Sequence, residues 1–100
     1  LLSVGQRNAT ERTAYLALHL YDRAAAVGYA TGDVLPTPFS RAHFADAIGV
    51  TSVHLSRTLR SLRGAGLMLW QDGEIRLLDR KGMESLASYE PADGERRPLI

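Results

Sequence analysis

Apolar and small residues recur at intervals of three and four from Ala9 to Val27, through Thr13, Leu16, Leu20 and Ala24. That period predicts a first helix over Ala9–Val27. Tyr15, Leu18 and Asp22 form a second stripe, so the helix has two partly covered faces, and Gly28 supplies its stop. The stretch Tyr29–Pro38 holds Gly32, Asp33, Pro36 and Pro38 and reads as a loop, with a short extended piece around Thr37–Phe39. Ser40 is placed to cap a second helix, Arg41–Ile48, whose inward residues are Phe44, Ala45 and Ile48. Gly49 interrupts the pattern, Thr51 caps again, and a third helix continues over Val53–Arg63 until Gly64 and Gly66 end it.

Two short apolar runs follow, Leu67–Trp70 and Ile75–Leu78, on either side of Gln71-Asp72-Gly73-Glu74. An Asp-Gly pair tolerates the positive φ values of a tight turn, so this is a hairpin. Asp79 then caps a last helix over Arg80–Tyr89, with Met83, Leu86 and Ala87 inward. The expected organisation is a lead-in segment over residues 1–8, one domain over 9–90 and a flexible tail over 91–100. The expected fold is mainly α with a small β-hairpin wing.

A helix, a two-residue break at glycine and a second helix make the spacing of a helix-turn-helix. Such helices cross closely, which calls for a small residue at the contact, and Ala45 supplies it. The turn calls for a residue that adopts left-handed geometry, and Gly49 stands there. Phe44, Ile48, Val50, Leu55 and Leu59 are the apolar pins.

At about 100° per residue, the third helix turns Leu55, Thr58, Leu59 and Leu62 to one side. The other side collects Val53, Ser56, Arg57 and Arg60, with His54 at its margin. The whole-chain charge of +1 says nothing about a polyanionic partner. Its distribution does: Ala47–Gln71 contains no acid and carries Arg57, Arg60 and Arg63, a local +3. Eleven of the twelve cations are arginine, the better side chain for bidentate contact with phosphate or guanine. An acid-free helical face with guanidiniums and short side chains suits the major groove of a duplex, where an arginine donates to guanine O6 and N7. Unpaired first-turn N–H groups at Thr51–Val53 favour a phosphate.

The strings TPFSRAHFADAIGVTSVHLSRTLRSLRGAGL and LWQDGEIRLLDRKGMESLA, preceded by GQRNATERTAYLALHLYDRA, resemble the C-terminal winged helix-turn-helix domain of Crp/Fnr-type bacterial transcription regulators. The resemblance spans about Ser3 to Ser88. It implies that a recognition helix, about residues 51–63, enters the major groove. Ser52, Val53, Ser56 and Arg57 would face bases; Ser40, Arg41, Thr51, His54 and Arg60 would face phosphates. Ser52 and Val53 stand where the best-known members place an Arg and a Glu, so the half-site read here should differ. Thr58 occupies a position that is usually aliphatic. The family's effector-binding β-barrel and long dimerisation helix are missing, and residues 1–8 would be the remnant of that linker. No cofactor is therefore expected in this chain, although an effector such as a cyclic nucleotide could bind the missing domain. Partners implied are double-stranded DNA, a second copy in the full-length protein, and RNA polymerase.

Other classes find less support. Cysteine is absent, which removes disulfides and thiolate chemistry. His19, His43 and His54 lack metal-ligand spacing. Ser52, Ser56 and Ser61 lack a base with an orienting partner, so no enzyme is expected. No apolar run approaches a membrane span and no secretory leader precedes Ala9, which points to a cytoplasmic domain cut from a longer protein. The rival reading is a winged helix that binds another protein without reading DNA; the acid-free face of the third helix argues against it. Trp70 is expected in the packing of the hairpin rather than stacked on a base, and wing contact with DNA is left open by Asp72 and Glu74.

Overall fold

Asn8 begins the first helix with a reciprocal pair of bonds. Its side-chain oxygen accepts from the Glu11 N–H at 2.8 Å, and the Glu11 carboxylate accepts from the Asn8 N–H at 3.0 Å. In the computed structural model, which describes residues 8–89, seven elements follow in order. They are α1 (Ala9–Ala26), β1 (Val34–Pro36), α2 (Arg41–Ile48), α3 (Ser52–Gly64), β2 (Met68–Gln71), β3 (Glu74–Leu77) and α4 (Arg80–Ala87). The expected lead-in over 1–8, apart from Asn8, and the tail over 91–100 lie outside the described residues.

The helix-turn-helix boundaries follow from capping. The Ser40 hydroxyl accepts from the His43 N–H at 3.1 Å, and the Thr51 hydroxyl accepts from the His54 N–H at 3.0 Å. Between the two helices Gly49 takes φ 77°, the left-handed conformation that a side chain disfavours. Phe44, Ala45 and Ile48 of α2 and Leu55, Thr58 and Leu62 of α3 are buried, with Val50 and Leu59 packed against them. Asp79 caps α4 by accepting from the Gly82 N–H at 3.0 Å.

The wing is a sheet of three strands rather than a hairpin of two. Its order is β1-β3-β2, antiparallel throughout, with Leu35 and Trp70 both opposite Ile75. Asp72 and Gly73 turn the hairpin with φ 55° and 75°, the positive pair that matches the strand twist. The extended piece expected at Thr37–Phe39 lies three residues earlier. Pro36 ends β1, an edge strand, where its missing N–H leaves no ladder bond unmade. The Thr37 N–H then donates to the Gly73 carbonyl.

Two other expectations need correction. In α1 the buried residues are Ala9, Thr13, Ala14, Ala17 and Leu18, whereas Leu16, Leu20 and Ala24 are half-buried and Val27 is 78% exposed. The helix packs against α4, α3, α2 and β1 at once, and the fully buried Ala14 and Ala17 let those neighbours approach. The last helix ends at Ala87 because Ser88 turns left-handed, φ 53°, and sends the Tyr89 ring back into the core.

Candidate nucleic-acid interface

The third helix presents its two sides as its wheel requires. Leu55, Thr58 and Leu62 are buried beneath it, while Ser52, Val53, His54, Ser56, Arg57, Arg60, Ser61 and Arg63 are exposed. Val53 is 65% exposed, an apolar residue held in water at the start of the helix. Burial of the leucines fixes the rotation of α3, so this outward face is a consequence of the core rather than of local propensity.

Outside α1, the described arginines divide into two sets. Arg76 pairs with Glu74 at 3.1 Å and with Asp33 at 3.7 Å. Arg80 grips Asp22 with both terminal nitrogens, at 2.9 and 3.0 Å, and gives its Nε–H to Glu84 at 2.7 Å. Arg41 donates to the Trp70 carbonyl at 2.5 Å. Arg57, Arg60 and Arg63 are the contrast: none has a side-chain hydrogen bond or ion pair among the described residues. Their guanidiniums sit on a surface with no acid between Asp46 and Asp72.

Of the nine residues singled out from the sequence, Ser52, Val53, Ser56 and Arg57 share the outward side of α3. Thr51 and His54 meet at its N-terminus, joined by the cap bond. Ser40 lies at the N-terminus of α2, also spent on a cap, and keeps its hydroxyl exposed. Arg41 and Arg60 both line a cleft between α3 and the wing. Trp70 is buried at 8% exposure, edge-on to Phe39 and Phe44. Sequence reasoning missed the Arg41–Trp70 contact, which joins residues 29 apart. Among the described residues no cluster of three or more potential metal ligands occurs, and no helix is long and apolar enough to cross a membrane.

A family model described as a Crp-like helix-turn-helix domain matches residues 11–86. The chain belongs to this family. The Crp-like domain is 35% identical over 88 residues to the nitrogen fixation regulation protein FixK of Bradyrhizobium diazoefficiens, covering 88% of this chain and 37% of that protein. It is 30% identical over 90 residues to the transcriptional regulatory protein btr of Bordetella pertussis, covering 90% of this chain and 37% of that protein. The structure of FixK2 from Bradyrhizobium japonicum superposes with a TM-score of 0.71 at 26% identity, covering 90% of this chain and 42% of that one. The Crp-like domain thus spans just over a third of the length of the curated relatives it matches. Its helices and small antiparallel sheet form the winged helix-turn-helix of Crp/Fnr regulators.

Proposed function

We propose that this chain is the duplex-DNA-binding output domain of a homodimeric, cytoplasmic transcription regulator, with α3 seated in the major groove. One observation carries this reading: Arg57, Arg60 and Arg63 project unpaired from a single acid-free face whose rotation is fixed by buried Leu55 and Leu62. A structural arginine finds a carboxylate, as Arg76 and Arg80 do; a nucleic-acid arginine keeps its donors for the ligand. Arg57, in the second turn, reaches a base edge, and Ser52, Val53 and Ser56 are small enough to let the helix backbone approach. Ser40, Thr51, His54, Arg41 and Arg60 flank that strip and meet the phosphates on either side.

Family membership and the regulators among its relatives support the same reading. A single half-site offers few contacts, so the chain alone binds weakly, and a second copy in the longer protein would supply the matching half-site. An effector would act through the part of the regulator that this chain does not contain, and RNA polymerase would be met by the assembled protein.

Selection of bound duplexes from a random pool, followed by titration at two salt concentrations, tests the proposal. Expected are an enriched half-site and an affinity that falls as salt rises, each phosphate contact contributing about 0.9 to the logarithmic slope. No enriched sequence and no salt dependence would overturn it in favour of a protein-binding winged helix.

A further inference from the structure

The cleft between the C-terminal half of α3 and β2 encloses about 330 Å³. Ser56, Arg60 and Arg63 of α3 line it together with Arg41, Trp70 and Gln71. No acid lines it. Arg60 and Arg63 are three residues apart on one helix, where like charges repel, and no carboxylate among the described residues relieves them. Two arginines that line one recess without a structural partner leave their donors for an external anion.

The lining narrows the choice of ligand. Trp70 is the one aromatic ring in the cleft, and the Arg41 guanidinium lies 5.4 Å from its centroid. That ring is only 8% exposed and packs edge-on against Phe39 and Phe44, so it is no platform for a base. The donor at the wing is Gln71, a neutral amide. Glu74 faces it across the ladder, but the Glu74 carboxylate is turned onto Arg76. A neighbouring recess shares Leu69 and Gln71 with the cleft and is completed by Asp72, Glu74 and Arg76, so it carries two acids. Both acids belong to that recess and neither lines the cleft, so an anion is favoured toward Arg60 and Arg63.

We propose that this cleft is a phosphate-binding site, with Arg63 and Gln71 as contact residues alongside Arg60. It deepens the DNA-binding reading and rests on it for one source of the phosphate, the backbone beside the groove that α3 fills. Arg63 lies about 9 Å further along the helix than Arg57, at 1.5 Å per residue, which separates a backbone contact from the base contact. The other source is a free polyphosphate, whose chemistry is the same.

Two arms distinguish the sources, both with the full chain. In the first, single methylphosphonates replace each backbone phosphate of the selected duplex in turn. One neutral linkage should weaken the wild type about five- to tenfold, yet change Arg63→Gln less than twofold, while Arg57→Ala keeps the wild-type sensitivity there. Arg23→Gln, an exposed cation on α1, controls for the loss of one charge and should behave as wild type. In the second arm, tripolyphosphate is titrated while the arginine Nε–H resonances are followed. Saturable shifts at Arg60 and Arg63 but not Arg57, lost in Arg63→Gln and reduced in Gln71→Ala, support the site with a free anion as its source. Absence of both the linkage coupling and the selective shifts overturns the site. Failure to select any duplex would sink the DNA reading alone, since the tripolyphosphate arm does not depend on it.

Discussion

The guanidinium of Arg41, the first residue of α2, donates to the main-chain carbonyl of Trp70 at 2.5 Å and rests 5.4 Å from the centre of its indole ring. The contact ties the first helix of the helix-turn-helix to β2, an edge strand of the wing. Only one of the five guanidinium N–H donors is needed for that bond, so the strap and a phosphate contact are compatible on one side chain. Arg41→Ala should lower stability by about 1–2 kcal/mol through loss of a charge-assisted bond and a cation–π contact. For a domain of this size that is a fall in Tm of about 4–8 °C per kcal/mol, read by thermal unfolding. Arg41→Lys should recover less than half, since an ammonium lacks the planar face and fork. An unchanged Tm in Arg41→Ala would show that the strap holds nothing.

Arg57 projects from the second turn of α3 with no protein partner among the described residues. Its expected role is a bidentate contact to guanine O6 and N7, so Arg57→Ala should relax discrimination at one base pair by about 1–3 kcal/mol. Competition between the selected duplex and single-base variants measures this. Equal weakening on selected and scrambled DNA would reassign Arg57 to the backbone.

Much of this arrangement is legible in the sequence because it rests on local rules. Ser40, Thr51 and Asp79 announce their helices, since a short polar side chain before an apolar period satisfies first-turn N–H groups. Gly49 and Asp72-Gly73 mark backbone that must run at positive φ. The outward face of α3 follows from the spacing of Leu55, Thr58 and Leu62, because a helix has one rotation that buries them all. What the sequence hides is long-range. Val34–Pro36 becomes a strand only because β3 offers it an open edge, and three residues ending in proline show no period of their own. The burial of Ala14 and Ala17 in place of larger neighbours depends on four elements closing around α1. The contacts of Arg41 with Trp70 and of Arg80 with Asp22 join residues 29 and 58 apart, where no spacing rule applies.

Val53 is an isopropyl group exposed to water at 65% on an otherwise polar strip. In a major groove the natural partner of such a group is the thymine C5-methyl. Burying one methyl against it is worth about a threefold to fourfold change in affinity. Replacing each thymine of the selected half-site by deoxyuridine removes only that methyl. One position should lose about this factor with the wild type and nothing with Val53→Ala. Uniform insensitivity of the wild type to deoxyuridine would leave Val53 without a base to read.

The Asp22–Arg80–Tyr89 cluster joins α1 to α4, and it predicts how stability depends on pH. Burial opposes ionisation of Asp22, but the bonds from Arg80 and Tyr89 and the charge of Arg80 outweigh it, so the carboxyl sits below its ordinary 3.8. The unfolded chain therefore binds this proton more readily. The stability it contributes is complete above about pH 4 and is lost as pH falls through the folded value. Tyr89 behaves in the opposite sense. Burial, then its bond to Asp22, holds the phenol above its ordinary 10.0, so its contribution is complete below that pH and is lost in stronger alkali. Asp22→Asn should cost about 1–3 kcal/mol at neutral pH and flatten the acid limb of a plot of urea midpoint against pH. Tyr89→Phe should flatten the alkaline limb and, by removing one of the bonds that lower Asp22, soften the acid limb less than Asp22→Asn does. An acid limb unchanged by Asp22→Asn would show that the clamp between α1 and α4 is held by packing around Tyr15 and Tyr89 rather than by charge.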